Sequence, residues 1–492
     1  MAAALLDYTL AYNDARARLV VARRVFDSLT PGFDQLGGIW LPLPHLLQLP
    51  LVQSDVLYST GFGMVAINVA AFAGLAVATL HIVTRITGTP RAGVAAVALV
   101  VSHPDLLYLQ ATPMTEMLTL GLIAGATALL LSPGTERWRT WAASALLALA
   151  MLTRYEAWLA AGAIVAVTTW GASRQPDGAR GWGHRVAPLA AMCVAALGCA
   201  AAWSKAMTGS WFVASGFFPQ TEVLGRPLSA VSEVARVTVQ TAGPGLLILA
   251  AAGAHWAITR ARCAPAGRMR LLAAAPIPAA LLYASLAYAG HPMLNRFAVF
   301  LLVPAIWLGM AGVLALRNAG WVRLRTALVA AVVVWQAGLW VRPPVVREAA
   351  MDMHQRDAFR VVVDALEPVS GDERLLASMW TAAAILHDLS TRGMPLRRVV
   401  HEGNGEHWRL AIATPANHVS WVLVTCLPGD GDRVAHGLGF SSDFTAAFEL
   451  AAKTRELELY RLRRTGAIRG SPEFCGDPAP ARRLDELATP VH

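Results

Sequence analysis

The chain has 492 residues, of which 55% are hydrophobic and only 15% are charged. A soluble protein carries about 25% charged residues, so this composition excludes a soluble globular protein and indicates an integral membrane protein. The net charge of +9 does not point to nucleic acid, because the arginines cluster in short loops between apolar segments. Membrane lipids are therefore expected partners, and nucleic acid is not.

Residues 1–57 form the first polar region, which we expect to be an outward loop. The segment from Ala15 to Ser28 has one apolar face and one charged face, which predicts an amphipathic helix lying along the membrane surface. Asp14 stands just before this helix. It either caps the helix, a position that Asp favours, or leaves the cap to Asn13 and acts as a catalytic carboxylate. The Trp- and Pro-rich stretch that follows ends at His45, a further candidate for substrate binding.

Ten apolar segments follow that are long enough, or nearly so, to span a bilayer as helices. They cover residues 58–83, 92–110, 115–131, 138–153, 156–172, 186–206, 238–259, 271–289, 297–316 and 323–341. Together they predict an α-helical polytopic domain over residues 58–341.

The loops between these segments alternate in charge. Fourteen arginines lie in one set of loops, and the other set holds only Arg154, Lys205, Arg226, Arg236 and Arg296. The positive-inside rule makes the basic side cytoplasmic. The first loop and everything after about residue 342 then face outward from the cytoplasmic membrane. No export signal is evident in residues 1–57, so we expect one more transmembrane helix upstream, which would bring the total to eleven.

Residues 342–492 have shorter apolar runs and more charge, which predicts a small α/β domain outside the membrane. A helix is expected from Arg347 to Leu366. Strands are expected over 375–379, 396–400, 421–426 and 456–462. No Gly-rich phosphate loop precedes a helix there, so no nucleotide cofactor is expected. Cys426 and Cys475 both fall in this domain and can form a disulfide in an oxidising compartment.

Charged residues of the outward loops are the candidates for chemistry, because charge near a membrane is costly and often functional. Asp14, Asp105 and Glu116 are acids that can together hold a divalent metal or the hydroxyl groups of a sugar. The alternative for Glu116 is a structural role, because a negative charge in the first turn of a helix interacts favourably with the helix dipole.

Two outward arginines are candidates for phosphate binding, because a guanidinium offers a fork of donors that suits phosphate oxygens. Arg154 and Glu156 form a polar break between two spans, where an ion pair is the alternative. Arg296 precedes a span, where an anchor that extends to the surface is the alternative.

The order of these motifs carries a family likeness over residues 7 to about 341. The motifs are Asn13-Asp14-Ala15, Trp40-Leu41-Pro42-Leu43-Pro44-His45, Thr112-Pro113-Met114-Thr115-Glu116, Leu152-Thr153-Arg154-Tyr155-Glu156, Thr208-Gly209-Ser210-Trp211-Phe212 and Asn295-Arg296-Phe297. In this order they resemble the GT-C superfamily of integral membrane glycosyltransferases, in the branch of protein mannosyltransferases and lipid A aminoarabinose transferases. The small outward C-terminal domain also resembles bacterial members.

The resemblance implies a sugar donor carried on a polyprenyl phosphate and transfer at the outer face of the membrane to a lipid, glycan or protein. It makes Asp14 the general base. It implies that Asp105 and Glu116 help to hold the acceptor or a metal, and that Arg296 and Arg154 bind the lipid phosphate. One departure is that family members often have two adjacent acids where this chain has Asn13-Asp14. A single base and direct displacement predict inversion at the anomeric carbon.

Two other classes of function remain open. A secondary transporter or lipid flippase is the main alternative, although transporters place charge within broken spans and often contain internal repeats. A membrane-anchored binding protein is the other. The glycosyltransferase hypothesis requires Asp14, Asp105, Glu116 and Arg296 to line one outward cavity.

Overall fold

A computed structural model describes residues 8–132, 136–173, 182–211, 221–260, 274–366, 373–426, 432–439 and 442–463. Its N-terminal region holds three helices, α1 (Asn13–Arg23), α2 (Pro42–Gln48) and α3 (Asp55–Thr60). Helix α1 is shorter than predicted, and its charged face is not exposed. Arg16 and Arg24 of the predicted charged face are buried. The C-terminal domain covers Arg16, which pairs with Asp388, and Arg24 donates to the backbone oxygen of Gln35.

The described part of the apolar region that follows contains twelve α-helices. They are α4 (Phe62–Thr87), α5 (Pro90–Val101), α6 (Pro104–Gln110), α7 (Glu116–Leu131), α8 (Arg137–Met151), α9 (Glu156–Ser173), α10 (Ala187–Thr208), α11 (Pro227–Ala242), α12 (Pro244–Arg260), α13 (Ile277–Tyr288), α14 (Val299–Asn318) and α15 (Val322–Leu339). Each of the ten predicted segments coincides with helical structure in this set.

Two predicted spans are bent rather than straight. The 92–110 segment breaks between α5 and α6 with a bend of 67°, and the 238–259 segment crosses a bend of 104° between α11 and α12. The 58–83 segment starts later than predicted, because Gly61 at φ 69° ends α3 before α4 begins. Within the described ranges, four helices are long and apolar enough to cross a membrane, or up to six if each bent pair is one span. The chain is thus a multi-pass membrane protein, and the count of ten spans stays a prediction.

Helix α14 forms the centre of the bundle and packs most closely on α12. A Cβ added to Gly253 would collide with the backbone oxygen of Leu308, and one added to Gly312 would collide with that of Leu249. Small residues at such a crossing let two helix backbones touch, which is how helices associate without a hydrophobic driving force in lipid. This packing fixes the start of α14, where the 3₁₀ turn Asn295–Ala298 carries Arg296.

The C-terminal region contains one mixed sheet with helices around it, as predicted. Its elements are α16 (Pro344–Leu366), β1 (Leu375–Leu376), α17 (Met379–Thr391), β2 (Val399–Val400), α18 (Glu406–Ala413), β3 (Trp421–Thr425), α19 (Arg433–Leu438), α20 (Ser442–Ala447), β4 (Phe448–Lys453) and β5 (Leu457–Leu462). The strand order is β2-β1-β3-β5-β4. Strand β1 is parallel to β2 and β3, and β5 is antiparallel to β3 and β4.

The four predicted strands are present, although β1 and β2 are only two residues long, and the helix predicted from Arg347 begins at Pro344. Strand β4 was not predicted, because Phe448–Lys453 is rich in Ala, Glu and Lys and its outer positions are exposed. Cys426 is disulfide-bonded. Cys475 lies outside the described residues, so the pairing predicted for it stays a prediction.

Candidate active site

Asp14 and Arg296 form an ion pair between the N-terminal region and the start of α14. The distance from Arg296 Nη2 to Asp14 Oδ2 is 2.5 Å, and 8% of the Arg296 side chain and 37% of the Asp14 side chain are exposed. Helix α1 begins at Asn13, and no side chain caps it from its own N-cap residue, Tyr12. Asp14 lies in the first turn. Neither Asn13 nor Asp14 is therefore the cap, and the Asp14 carboxylate faces Arg296.

The charges around Asp14 keep it ionised. Burial raises the pKa of this carboxyl, but the positive charges of Arg296 and Arg18 outweigh that effect, so the pKa lies below its ordinary value of 3.8. An ionised carboxylate with a third of its surface open can accept a proton from a bound hydroxyl group and later release it to solvent.

Arg18 is a further cation of the site that the sequence reading did not select. It lies four residues after Asp14 on α1, so the two side chains share a face of the helix. It is 5% exposed, and its guanidinium stacks on Trp40 at 4.3 Å. Burial, only partly offset by Asp14, lowers the pKa of Arg18 to about 10. The described residues give Arg18 no ion pair and its Nε no hydrogen-bond partner.

Arg154 has a different environment, because two carboxylates already pair with it. Its Nη1 lies 2.8 Å from Glu116 Oε1 and its Nη2 lies 2.7 Å from Glu156 Oε1. Glu156 also accepts a 3.3 Å hydrogen bond from the Tyr283 hydroxyl. Of the two roles predicted for Arg154 and Glu156, the structure contains the ion pair. Glu116 is the second partner of this pair, and its carboxylate also accepts from the backbone N–H of Thr115 at 3.0 Å.

Asp105 lies apart from this cluster. It is fully buried, and its Oδ1 accepts a 3.0 Å hydrogen bond from the backbone N–H of Val345 at the start of α16. It therefore caps the first helix of the C-terminal domain. No group of three or more His, Cys, Asp or Glu suited to a metal ion occurs among the described residues, so Asp14, Asp105 and Glu116 do not form the joint metal site considered from the sequence.

His45 and Asn13 lie at the edges of the site. His45 is 1% exposed and stacks against Trp40 with 5.7 Å between ring centroids. Burial, together with the charges of Arg18 and Arg24, lowers the pKa of His45 to about 3. This imidazole is therefore neutral and supports the Trp40 ring. The Asn13 side chain contacts Gln355 and Arg16 instead of facing Asp14.

An apolar cavity begins at the Arg154–Glu156 pair and extends between α7, α9, α13 and α14. The cavity has room for water-sized groups in about 60 Å³, and the free space between its walls, including the part open to the surroundings, is about 790 Å³. Glu156 is the one acidic lining residue, and the rest of the wall includes Ala163, Phe300, Pro304 and Trp307. The charged cluster thus stands beside a pocket whose walls suit a hydrocarbon chain.

Comparison with solved structures identifies the fold. No family model matches the sequence, and no curated protein is significantly similar to it. The structure of ArnT from Cupriavidus metallidurans bound to undecaprenyl phosphate has a TM-score of 0.59 at 12% sequence identity, over 95% of this chain and 98% of that chain. ArnT from the same organism in the apo state has a TM-score of 0.56 at 13% identity, over 93% and 96%. At these identities the likeness shows that this chain shares the fold of ArnT, which agrees with the resemblance drawn from the motifs at the level of the fold.

Proposed function

We propose that this chain, which has the GT-C fold, is a membrane glycosyltransferase that moves a sugar from a polyprenyl phosphate to an acceptor hydroxyl group. The observation that carries the proposal is Arg18. A buried guanidinium that forms no ion pair with any described residue is costly, and Arg18 stands beside the Asp14–Arg296 pair, near an apolar cavity. An anion attached to a long apolar chain satisfies both features at once.

In this proposal Arg18 and Arg296 bind the lipid phosphate. The Nη2 of Arg296 donates to Asp14, and its Nε has no hydrogen-bond partner among the described residues. Arg154 keeps its two carboxylates and orders the wall of the site instead of holding phosphate. The ArnT structure bound to undecaprenyl phosphate supports a polyprenyl chain as the apolar part, and the cavity next to Glu156 is the space we assign to it.

The proposed reaction is a direct displacement. The acceptor oxygen attacks the anomeric carbon while Asp14 takes its proton. The bond from that carbon to the phosphate oxygen breaks, and the polyprenyl phosphate leaves with the bonding electrons. Arg18 and Arg296 stabilise the negative charge that it gains. One displacement inverts the anomeric centre, and solvent then takes the proton from the exposed side of Asp14.

The proposal places the reaction on the outer face of the cytoplasmic membrane, with the C-terminal domain on the same side. The Lys/Arg bias of the loops supports this orientation. The acceptor is a hydroxyl group of a lipid, a glycan or a protein. The transporter alternative is weaker, because the charged residues gather at the ends of α1, α7, α9 and α14 and not in mid-span.

The test is a transfer assay on the full chain in nanodiscs. Undecaprenyl phosphate linked to radiolabelled mannose, arabinose or 4-amino-arabinose is mixed with a cell-envelope extract, and labelled product and free undecaprenyl phosphate are measured. We expect one donor to be consumed, and Asp14→Asn to abolish transfer while the protein stays folded. The control is Asp34→Asn, an exposed acid of the same region, which should keep full activity. Full transfer by Asp14→Asn would refute the role of this base.

A further inference from the structure

Two acids on α16 bind the N-termini of the two elements that carry the Asp14–Arg296 pair. Glu348 and Asp352 are four residues apart, so their side chains lie on one face of this helix. Glu348 is 6% exposed. Both belong to the first helix of the C-terminal domain, far in sequence from the residues they contact.

Glu348 binds the turn that carries Arg296. Its Oε2 accepts a 2.6 Å hydrogen bond from the backbone N–H of Asn295, the first residue of the 3₁₀ turn. The residue before that turn is Leu294, which has no side chain able to cap it. Glu348 Oε1 also accepts a 2.9 Å hydrogen bond from the hydroxyl of Tyr12. The Glu348 carboxylate therefore binds both Asn295, at the start of the 3₁₀ turn, and Tyr12, which precedes α1.

Asp352 does the same for the helix that carries Asp14. Its Oδ2 accepts a 2.9 Å hydrogen bond from the backbone N–H of Asn13, the first residue of α1. The first N–H groups of a helix have no partner inside it, and Asp, Asn, Ser or Thr at the N-cap normally supplies one. Tyr12 at this position cannot. The missing cap comes from α16 instead.

We infer that Glu348 and Asp352 are positioning residues that set the geometry of the Asp14–Arg296 pair through the backbone. The inference rests on the proposed function, in which Arg296 binds the lipid phosphate and Asp14 is the general base. The C-terminal domain is then a component of the active site, because one face of its first helix fixes both partners. Loosening either backbone segment displaces the Arg296 guanidinium from the phosphate.

The test measures the affinity of the full chain in nanodiscs for undecaprenyl phosphate. We expect Glu348→Ala and Asp352→Ala each to raise the Kd roughly tenfold or more, because a displacement of about 1 Å is enough to lose interactions of that size. Glu348→Gln and Asp352→Asn should recover most of the affinity, because an amide oxygen still accepts from the backbone N–H. Asp364→Ala is the matched control, since Asp364 lies on the same helix and its exposed carboxylate pairs with Arg392.

Repeating both alanine substitutions in an Arg296→Ala background separates positioning from general loss of structure. Positioning predicts no further change in Kd there for Glu348→Ala, because Arg296 is gone, and a smaller one for Asp352→Ala, because α1 still carries Arg18. The same loss of affinity in both backgrounds would overturn the inference, and so would a Kd that neither alanine substitution changes while Arg296→Ala raises it. A normal Kd for Arg296→Ala itself would instead overturn the proposed phosphate site.

Discussion

Replacement of Arg18 by Met should stabilise the protein and remove its affinity for a polyprenyl phosphate. Burial lowers the pKa of Arg18 from 12.5 to about 10, which at about 1.4 kcal/mol per pKa unit corresponds to about 3 kcal/mol against the charged form. Met keeps the apolar stem and removes the charge. The lost stacking on Trp40 offsets about 1 kcal/mol of the gain. A net stabilisation of about 2 kcal/mol is therefore expected for Arg18→Met.

Arg16→Met on the same helix is the matched comparison, with the opposite expected sign. Arg16 is fully buried, and its Nη1 lies 2.7 Å from Asp388 Oδ2. Removing one partner of a buried pair costs about 3–5 kcal/mol, and Arg356 still contacts Asp388, so we expect the low end of that range. The two substitutions on one helix should therefore change the stability in opposite directions, because Arg16 has an ion pair among the described residues and Arg18 has none.

The assay is thermal and denaturant unfolding of the wild type and both variants, with and without undecaprenyl phosphate. At one hundred times its Kd the lipid should stabilise the wild type by about 2.7 kcal/mol and should not stabilise Arg18→Met. Arg16→Met should be less stable without ligand but still respond to it. An Arg18→Met protein that is less stable than the wild type and gains the same stabilisation from the lipid would refute the reasoning.

Two further predictions concern the base and the cavity. Because the pKa of Asp14 lies below 3.8, the base is ionised at all higher pH values, so kcat/KM should show no acid limb above about pH 5; a limb centred near pH 6 would contradict this. Ala163→Phe, which fills the cavity, should weaken undecaprenyl phosphate binding by about 10- to 150-fold, because excluding one branched apolar group forfeits about 1.5–3 kcal/mol. The neighbouring Gly162→Phe, where an added side chain meets open space, should bind normally, and equal losses in both variants would contradict the assignment of the cavity.

Much of the fold could be predicted from the sequence, because hydrophobic length and turn residues are local signals. The helix positions and the mixed C-terminal sheet follow from them. The bends at residues 102–103 and 243 lie just before Pro104 and Pro244, so the sequence contained a local signal for them that the predicted straight spans did not use. The buried side of α1 could not be predicted in this way, because it depends on packing between residues that are far apart in sequence, such as Arg16 with Asp388.

The site was predicted less completely, because its contacts also join residues that are far apart in sequence. Asp14, Glu116 and Arg296 lie in one charged cluster of the structure, and their roles stay predictions. Arg18 was missed although its i, i+4 spacing from Asp14 was visible, because charge on a helix usually means a solvated face. Asp105 was grouped with the other acids, but its carboxylate is used by a backbone N–H 240 residues away.

The most direct test of the central claim is a structure of the full chain in nanodiscs with undecaprenyl phosphate, determined by electron cryo-microscopy. The account predicts the phosphate within hydrogen-bond distance of Arg18 and Arg296. It also predicts the first isoprenoid units in the cavity beside Glu156, and Arg154 still paired with its two carboxylates. A lipid phosphate bound elsewhere, with the guanidinium of Arg18 untouched, would contradict it.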